Sequence, residues 1–484
     1  MNSGSEKISV REKIGFSLGD GAANFIFQTI MILQLSFYTD TFGLSAAAAA
    51  TLFIVARLWA AVCDPVFGAL ADRTKTRWGK FRPWILFTAI PFGIIGYLAF
   101  TTPDLSHTGK LIYAYVTYIL LMTVYSANNN PYSALSGVIT GNMAQRTSLS
   151  SYRFVVVTLA IIAIQGFALP MVNHFGHGNS AHGYQVTMGI FSILAVLFFF
   201  ITFFTTKERV SPPPQQKTSL KQDLTDLVGN KQWVLMFIVF LFMFIFLAMR
   251  NSILLYFFKY YLNIDSQKAF LNGADKALFG LLGTLGMTGA NASIADNTFS
   301  IINIISQLFA IAGIVLSNAL ARNLGKRNVF RFWLFVAAIA SMAFIFVPST
   351  AVTLTFILSI LFNFAWGVTQ PLPWAMMADV ADYSEWKTSR RATGIVFAGI
   401  VIGLKVGLAI GGGLAGLLLS RYGYVPNVEQ SADALKGIRL SMSVYPSIAL
   451  ILCVVALFIY GIGKKTEDQM QNELAERRKS YSQS

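Results

Sequence analysis

The chain has 484 residues, of which 55% are hydrophobic and 12% charged, with a net charge of +15. A charged fraction about half that of a soluble domain excludes a water-soluble globular protein, and basic residues gathered in alternate loops exclude a nucleic-acid-binding face. The only two cysteines, Cys63 and Cys453, lie in apolar segments, which excludes a disulfide framework.

A membrane-crossing helix needs about 20 mainly apolar residues. Such stretches are predicted at 14–38, 45–71, 83–102, 111–137, 150–174 and 184–205, and again at 233–261, 293–318, 328–347, 351–378, 391–420 and 439–463. The first carries Asp20 and Asn24 with no small-residue cleavage site after a short core, so it reads as a retained helix and not a signal peptide. The polar stretch 206–232, with Pro212-Pro213-Pro214, divides the series in the middle. The expectation is an all-α membrane protein: an N-terminal six-helix bundle (1–205), a cytoplasmic linker (206–232), a C-terminal six-helix bundle (233–463) and a cytoplasmic tail (464–484). The Gly- and Ala-rich segment 262–292 is expected as an extended periplasmic loop.

Basic residues fix the expected orientation. Lys7, Arg11 and Lys13 precede the first span, and Arg73, Lys75, Arg77, Lys80 and Arg82 follow the second. Further basic residues follow the fourth, sixth, eighth, tenth and twelfth, whereas the intervening loops hold only Lys110, Lys268, Lys276, Arg421, Lys436 and Arg439. Both termini are therefore expected on the cytoplasmic side. A short internal repeat, Arg77-Trp78-Gly79-Lys80 against Arg322-Asn323-Leu324-Gly325-Lys326, suits a duplicated transporter.

Polar groups inside hydrocarbon are costly and mark a cavity, a partner or a substrate. In the second span Asp64 lies two turns beyond Arg57, so either the two form a structural bridge or Asp64 is a titrating, cation-binding carboxylate. Asn128, Asn129 and Asn130, followed by Pro131 and Tyr132, place three amides deep in the fourth span. Amides offer the donors and acceptors that sugar hydroxyls need, interhelical bonding being the other reading. Arg153 and Lys405 are isolated cations on apolar helices, open to Asp64 or to substrate oxygens. Trp374, between prolines 371 and 373 and the rest of the tenth span, is a candidate for stacking on a sugar ring.

These residues sit in recognisable motifs. Val55-Ala56-Arg57 running to Asp64-Pro65, then Asp72-Arg73-Thr74-Lys75-Thr76-Arg77-Trp78-Gly79-Lys80, resembles the second helix and following loop of the glycoside–pentoside–hexuronide:cation symporters of the major facilitator superfamily. Phe37-Tyr38-Thr39-Asp40, Asn130-Pro131-Tyr132, Ala378-Asp379-Val380-Ala381-Asp382 with Glu385, and Gly423-Tyr424-Val425-Pro426-Asn427-Val428 continue the match in order along the chain. The resemblance implies twelve helices in two pseudo-symmetric bundles and sugar symport by alternating access. It places Asn24, Asn129 and Arg153 at the sugar, Asp64 at the coupling cation and Lys405 at the edge of that site.

Ala60 and Cys63 stand where the family's melibiose-type members carry an aspartate and an asparagine, so the implied sodium site lacks hard oxygen ligands. A proton, needing one carboxylate, is the expected cation. The resemblance also implies a cytoplasmic gate in which Asp379, Asp382 and Glu385 meet Arg146, Arg327 and Arg391. The expected function is proton-coupled uptake of a sugar or small glycoside across the bacterial inner membrane, with Asn24, Asn129, Tyr132, Arg153 and Trp374 as substrate contacts. An uncoupled facilitator and a lipid-like substrate carrier are the alternatives. Neither metal spacing, phosphate-cradling loop nor nucleophile with a base is present in the sequence. No enzyme, cofactor, metal or nucleic-acid partner is expected, and a monomer in the lipid bilayer is.

Overall fold

The computed structural model describes residues 8–140, 143–209, 228–274, 294–388 and 393–481. Among them the regular structure is helical, apart from one β-bridge between Thr76 and Gly79, and short turns and loops join the helices. The helices are α1 (Val10–Ser36), α2 (Ala46–Arg73), α3 (Arg82–Leu98), α4 (His107–Ile139), α5 (Met143–Gly176), α6 (Ser180–Thr205), α7 (Lys231–Tyr256) and α8 (Ile264–Ala274). They continue with α9 (Ile294–Leu324), α10 (Lys326–Met342), α11 (Val352–Thr369), α12 (Pro371–Thr388), α13 (Thr393–Arg421), α14 (Ala432–Met442), α15 (Val444–Ile459) and α16 (Lys464–Tyr481). Among the described residues eleven stretches are long and apolar enough to cross a membrane, and the shorter apolar α3 brings the apolar helices to the expected twelve.

Local chemistry sets the helix ends. Ser9, Ser45, Ser106 and Asn179 accept the first free backbone N–H groups of α1, α2, α4 and α6. The two basic turns expected to repeat each hold a glycine in the left-handed region, Gly79 at φ 108° and Gly325 at φ 82°. A second repeat was not legible in the residues. α1 and α7 each end in a π-helical turn, Phe37–Phe42 and Phe257–Tyr261, a distortion that collects at functional sites.

The chain divides into two compact units, and the division does not follow the two sequence halves. The first unit comprises residues 1–214, 251–304 and 416–435, and the second 215–250, 305–415 and 436–484. Stretches of the second half at the ends of α7, α9, α13 and α14 thus belong with the first six helices. The opening residues of the expected linker do as well. Arg209 binds Glu12 through two bonds of 2.7 and 2.9 Å, and Glu208 accepts the backbone N–H groups of Lys80, Phe81 and Arg82 at 2.8, 2.8 and 3.0 Å. Of the segment 262–292, α8 is helical through Ala274, and the remainder lies outside the described residues.

In the first unit α1 runs against α5 and α6. A Cβ at Gly19 would lie 2.6 Å from the Tyr132 ring and 2.9 Å from Thr202 Oγ1, so glycine is required for this approach. The second unit buries Met236, Phe240, Leu334, Trp366, Met376 and Leu457 in a core drawn from α7, α10, α11, α12 and α15. One cation lies inside it. Pro446 has no N–H to give Met442 O, four residues back, and the chain breaks there between α14 and α15. Arg250 supplies the missing donor, binding Met442 O and Ser341 Oγ at 3.1 Å each between the rings of Phe344 and Phe362.

Candidate functional site

Residues spaced by four share a helix face, and α1 presents Asp20, Asn24 and Gln28 in that register. Asn24 Nδ2 donates to Asp20 O at 2.8 Å and Asp20 Oδ1 at 3.2 Å, and Gln28 Nε2 donates to Asn24 Oδ1 at 3.2 Å. Asp20 forms an ion pair with Arg153 of α5. A lone charge at mid-membrane costs about 2.5–3.5 kcal/mol on insertion scales, so the pair relieves two such costs. Its side chains are 10% and 34% exposed, so its strength lies between that of surface pairs, under ~1 kcal/mol, and that of fully buried ones. Arg153 is thus not an uncompensated cation waiting for an acidic sugar.

Tyr132, expected as a stacking platform, is buried in the wall. Phe16 stacks on its ring at 4.8 Å, the Arg153 guanidinium lies 5.7 Å from its centroid, and its hydroxyl donates to Phe16 O at 2.8 Å. Its ring has no free face for a sugar, and what it does is support Arg153.

The three α4 amides point apart because successive helical residues turn by about 100°. Asn128 donates to Thr88 Oγ1 on α3 at 2.8 Å and is buried; Asn129 donates to Tyr125 OH, one turn back, at 3.3 Å and is half-buried. Asn130 donates to Asp64 of α2, at 2.9 Å to Oδ1 and 3.2 Å to the main-chain oxygen. The bland reading, interhelical bonding, therefore describes Asn128 and Asn130, while Asn129 and its neighbour Tyr125 stay close to α1, where Tyr125 stacks on Phe27 at 5.4 Å.

Arg57 is not the partner of Asp64. Its Nη2 donates to Met31 Sδ at 3.0 Å, and its buried Nη1 has no hydrogen-bond partner among the described residues. Asp64 instead has Asn130 beside it, with Ala60 and Cys63 buried on the preceding turn.

The remaining expected residues belong to the second unit. Trp374 is 38% exposed and meets Phe240 edge-on at 5.3 Å, leaving part of its ring open. Lys405 is half-buried on α13. Of the residues expected in the gate, Asp379 pairs with Lys326, which the sequence offered as part of a basic turn and not of the gate, and Lys326 also lies 3.6 Å from Glu467 of α16. Burial pushes the Glu467 carboxyl above its ordinary value against the pull of Lys326. Arg327 donates to Tyr460 O at 3.0 Å, at the end of α15, and so serves a helix terminus. Asp382 and Glu385 are half-buried on α12. Arg391 and the side chain of Arg146 lie outside the described residues.

Sequence reasoning missed Gln28 as a member of the stripe, the Asp20–Arg153 pairing and the carboxylate of Asp40. Gln28 was findable, since it continues the four-residue register of Asp20 and Asn24. The partner of Asp20 was not, because nothing in a sequence tells which face of α5 meets α1.

Helices of membrane-crossing length with a paired charge and a ladder of amides define a membrane transporter of small polar solutes, not an enzyme. The chain belongs to the MFS/sugar transport protein family, whose model matches residues 15–295 and 292–464. It is 36% identical over 475 residues to the putative glycoside/cation symporter YagG of Escherichia coli, covering 98% of this chain and 96% of that one. It is 34% identical over 462 residues to the isoprimeverose transporter of Lactiplantibacillus pentosus, covering 94% and 89%. Among solved structures, a bacterial homologue of the human drug peptide transporters PepT1 and PepT2 superposes with a TM-score of 0.64 at 13% identity, covering 93% of this chain and 97% of that one. That likeness bears on the fold alone, which is the major facilitator fold.

Proposed function

We propose that this chain imports a neutral glycoside together with a proton, with Asp64 as the coupling carboxylate and the α1 stripe as the main sugar-binding surface. Relatives named for glycosides and for isoprimeverose support a glycoside as the substrate class. The observation that carries the coupled ion is the surroundings of Asp64. Asn130 holds one carboxylate oxygen, while the preceding turn offers Ala60 and Cys63, neither of which has a hard oxygen for sodium. One carboxylate suffices for a proton.

Neutrality of the sugar follows from Asp20, which already balances Arg153. In this reading Asn24, Asn129 and Arg153 of the first unit bond sugar hydroxyls. In the second unit Trp374 is a further candidate contact, and Lys405, Asp379, Asp382 and Glu385 are candidate charged groups of the transport cycle. The chain acts as a monomer in the inner membrane.

The test is accumulation of a radiolabelled neutral glycoside, chosen by thermal-shift screening, in vesicles given either a pH gradient or a sodium gradient. A pH gradient is expected to drive it and a sodium gradient is not. Asp64→Asn is expected to abolish accumulation while preserving exchange of labelled for unlabelled sugar. Undiminished accumulation by that variant would remove Asp64 from the coupling role, and accumulation by neither gradient would make the chain a facilitator.

A further inference from the structure

Two motifs of the sequence, Phe37-Tyr38-Thr39-Asp40 and Gly423-Tyr424-Val425-Pro426-Asn427-Val428, take no part in the site above. In the first unit they meet. Asp40 lies in the π turn that ends α1, and its side chain is 4% exposed. Oδ2 accepts from Lys259 Nζ at 2.6 Å and from Tyr260 OH at 2.8 Å, and Oδ1 accepts from Tyr424 OH at 2.5 Å. Asn427 Nδ2 donates to Asp40 O at 2.5 Å. Thr39 Oγ1 and Tyr256 OH are 2.8 Å apart beside this group. The π turns ending α1 and α7 are thus joined through a single carboxylate, and the loop after α13 closes over it. Asn427 sits at φ +58°, a conformation that asparagine tolerates better than most residues and that persists where surrounding bonds demand it.

The bonds tie the end of α7 and the loop after α13 to the end of α1, all within the first unit. α7 and α13 each run on, as continuous helix, beyond the residues that belong to that unit. A helix turns largely as one body, so a rigid rotation of α7 or α13 must part its end from α1. What holds those ends is suited to parting. The central bonds are polar, at helix termini, and Lys259 is already 32% exposed, so water can replace each bond as it opens. A second strap, Asn173 Nδ2 to Asp296 Oδ2 at 2.8 Å, ties α5 to the start of α9, which likewise runs on beyond that unit, past Ile304.

We propose that Asp40, with Lys259, Tyr260, Tyr424 and Asn427, is the releasable clasp that closes the face opposite the basic loops, and that it must open in each transport cycle. The proposal rests on the chain being an alternating-access carrier and is independent of which sugar or cation it carries.

The test therefore reads access and not sugar. Cys63 and Cys453 are replaced by alanine and a reporter, Gln28→Cys, is placed on the α1 stripe. Its labelling by a membrane-impermeant maleimide is followed from each side, in right-side-out and inside-out vesicles. Asp40→Asn and Lys259→Met are each expected to raise labelling from the face opposite the basic loops at least threefold and to lower it from the basic face. Tyr424→Phe, which removes one bond with little risk to folding, is expected to shift both rates the same way by a smaller factor. Opposed changes are what a shifted equilibrium between two closures demands. Rates that are unchanged, absent, or raised from both faces would overturn the proposal, since a contact that is merely structural loosens the protein without trading one access for the other.

Discussion

At the scale of single residues, the decisive pair is Asp20 with Arg153. An arginine on an otherwise apolar helix invites the reading of an anion-binding site, for which an acidic sugar would be the ligand. Asp20 sits one turn from Asn24 and takes up the guanidinium first. Substrate charge then depends on one carboxylate. Asp20→Asn keeps the shape and the bond to Asn24 while leaving Arg153 uncompensated. The variant is expected to favour a uronide over the matching neutral glycoside by roughly tenfold or more relative to wild type. A charged hydrogen bond contributes about 1.5–3 kcal/mol and tenfold corresponds to about 1.4. Competition of both sugars against a common labelled substrate measures the ratio. An unchanged ratio would mean that Arg153 does not face the substrate. Tyr132 carries the opposite lesson: residue type suggested a sugar platform, but Phe16 and Arg153 occupy its two sides. Aromatic type is legible in a sequence; which ring faces are free is a property of packing.

At the scale of elements, the prolines were visible in the sequence but their consequences were not. Helix interiors lose one bond at each proline, and at Pro446 the carbonyl left over belongs to Met442. Arg250, nearly 200 positions away, fills the gap, which is why a buried cation without a carboxylate is tolerable there. Arg250→Met is expected to lower the thermal midpoint of the purified protein by several degrees. It orphans a buried carbonyl, at a cost of about 1–3 kcal/mol, and it also removes two ring contacts. Pro446→Ala restores a backbone donor four residues from Met442. In the Arg250→Met background it is expected to recover part of the loss, whereas alone it changes the midpoint little. Losses that simply add in the double variant would show that the two positions are not coupled through that carbonyl. Span existence and order were legible from apolar runs long enough to leave no competing reading. The π turns were not, because the single extra residue that makes one leaves no periodic trace in a ten-residue window.

At the scale of the whole molecule, two kinds of information behave differently. The twelve spans and the alternation of basic loops follow from composition summed over dozens of residues, so errors at single positions cancel. The boundary between compact units depends on a few bonds at helix ends, so the expected break at 206–232 missed that residues 251–304 and 416–435 join the first unit. Orientation belongs to the first kind. Five basic residues lie within ten positions from the end of α2 to the start of α3, from Arg73 to Arg82, and Lys464, Lys465, Arg477, Arg478 and Lys479 follow α15. The loop between α3 and α4, residues 99–106, holds no basic residue, and Lys110 lies in the first turn of α4. Lysine and arginine near span ends are retained on the cytoplasmic side during insertion, whereas acidic residues contribute little. A fluorescent protein fused after Ser484 is therefore expected to fluoresce, and alkaline phosphatase fused there to stay inactive. The same phosphatase fused after Asp104, between α3 and α4, is expected to be active. Activity at Ser484 would invert the bilayer around the fold. It would place the proposed Asp40 clasp on the cytoplasmic side.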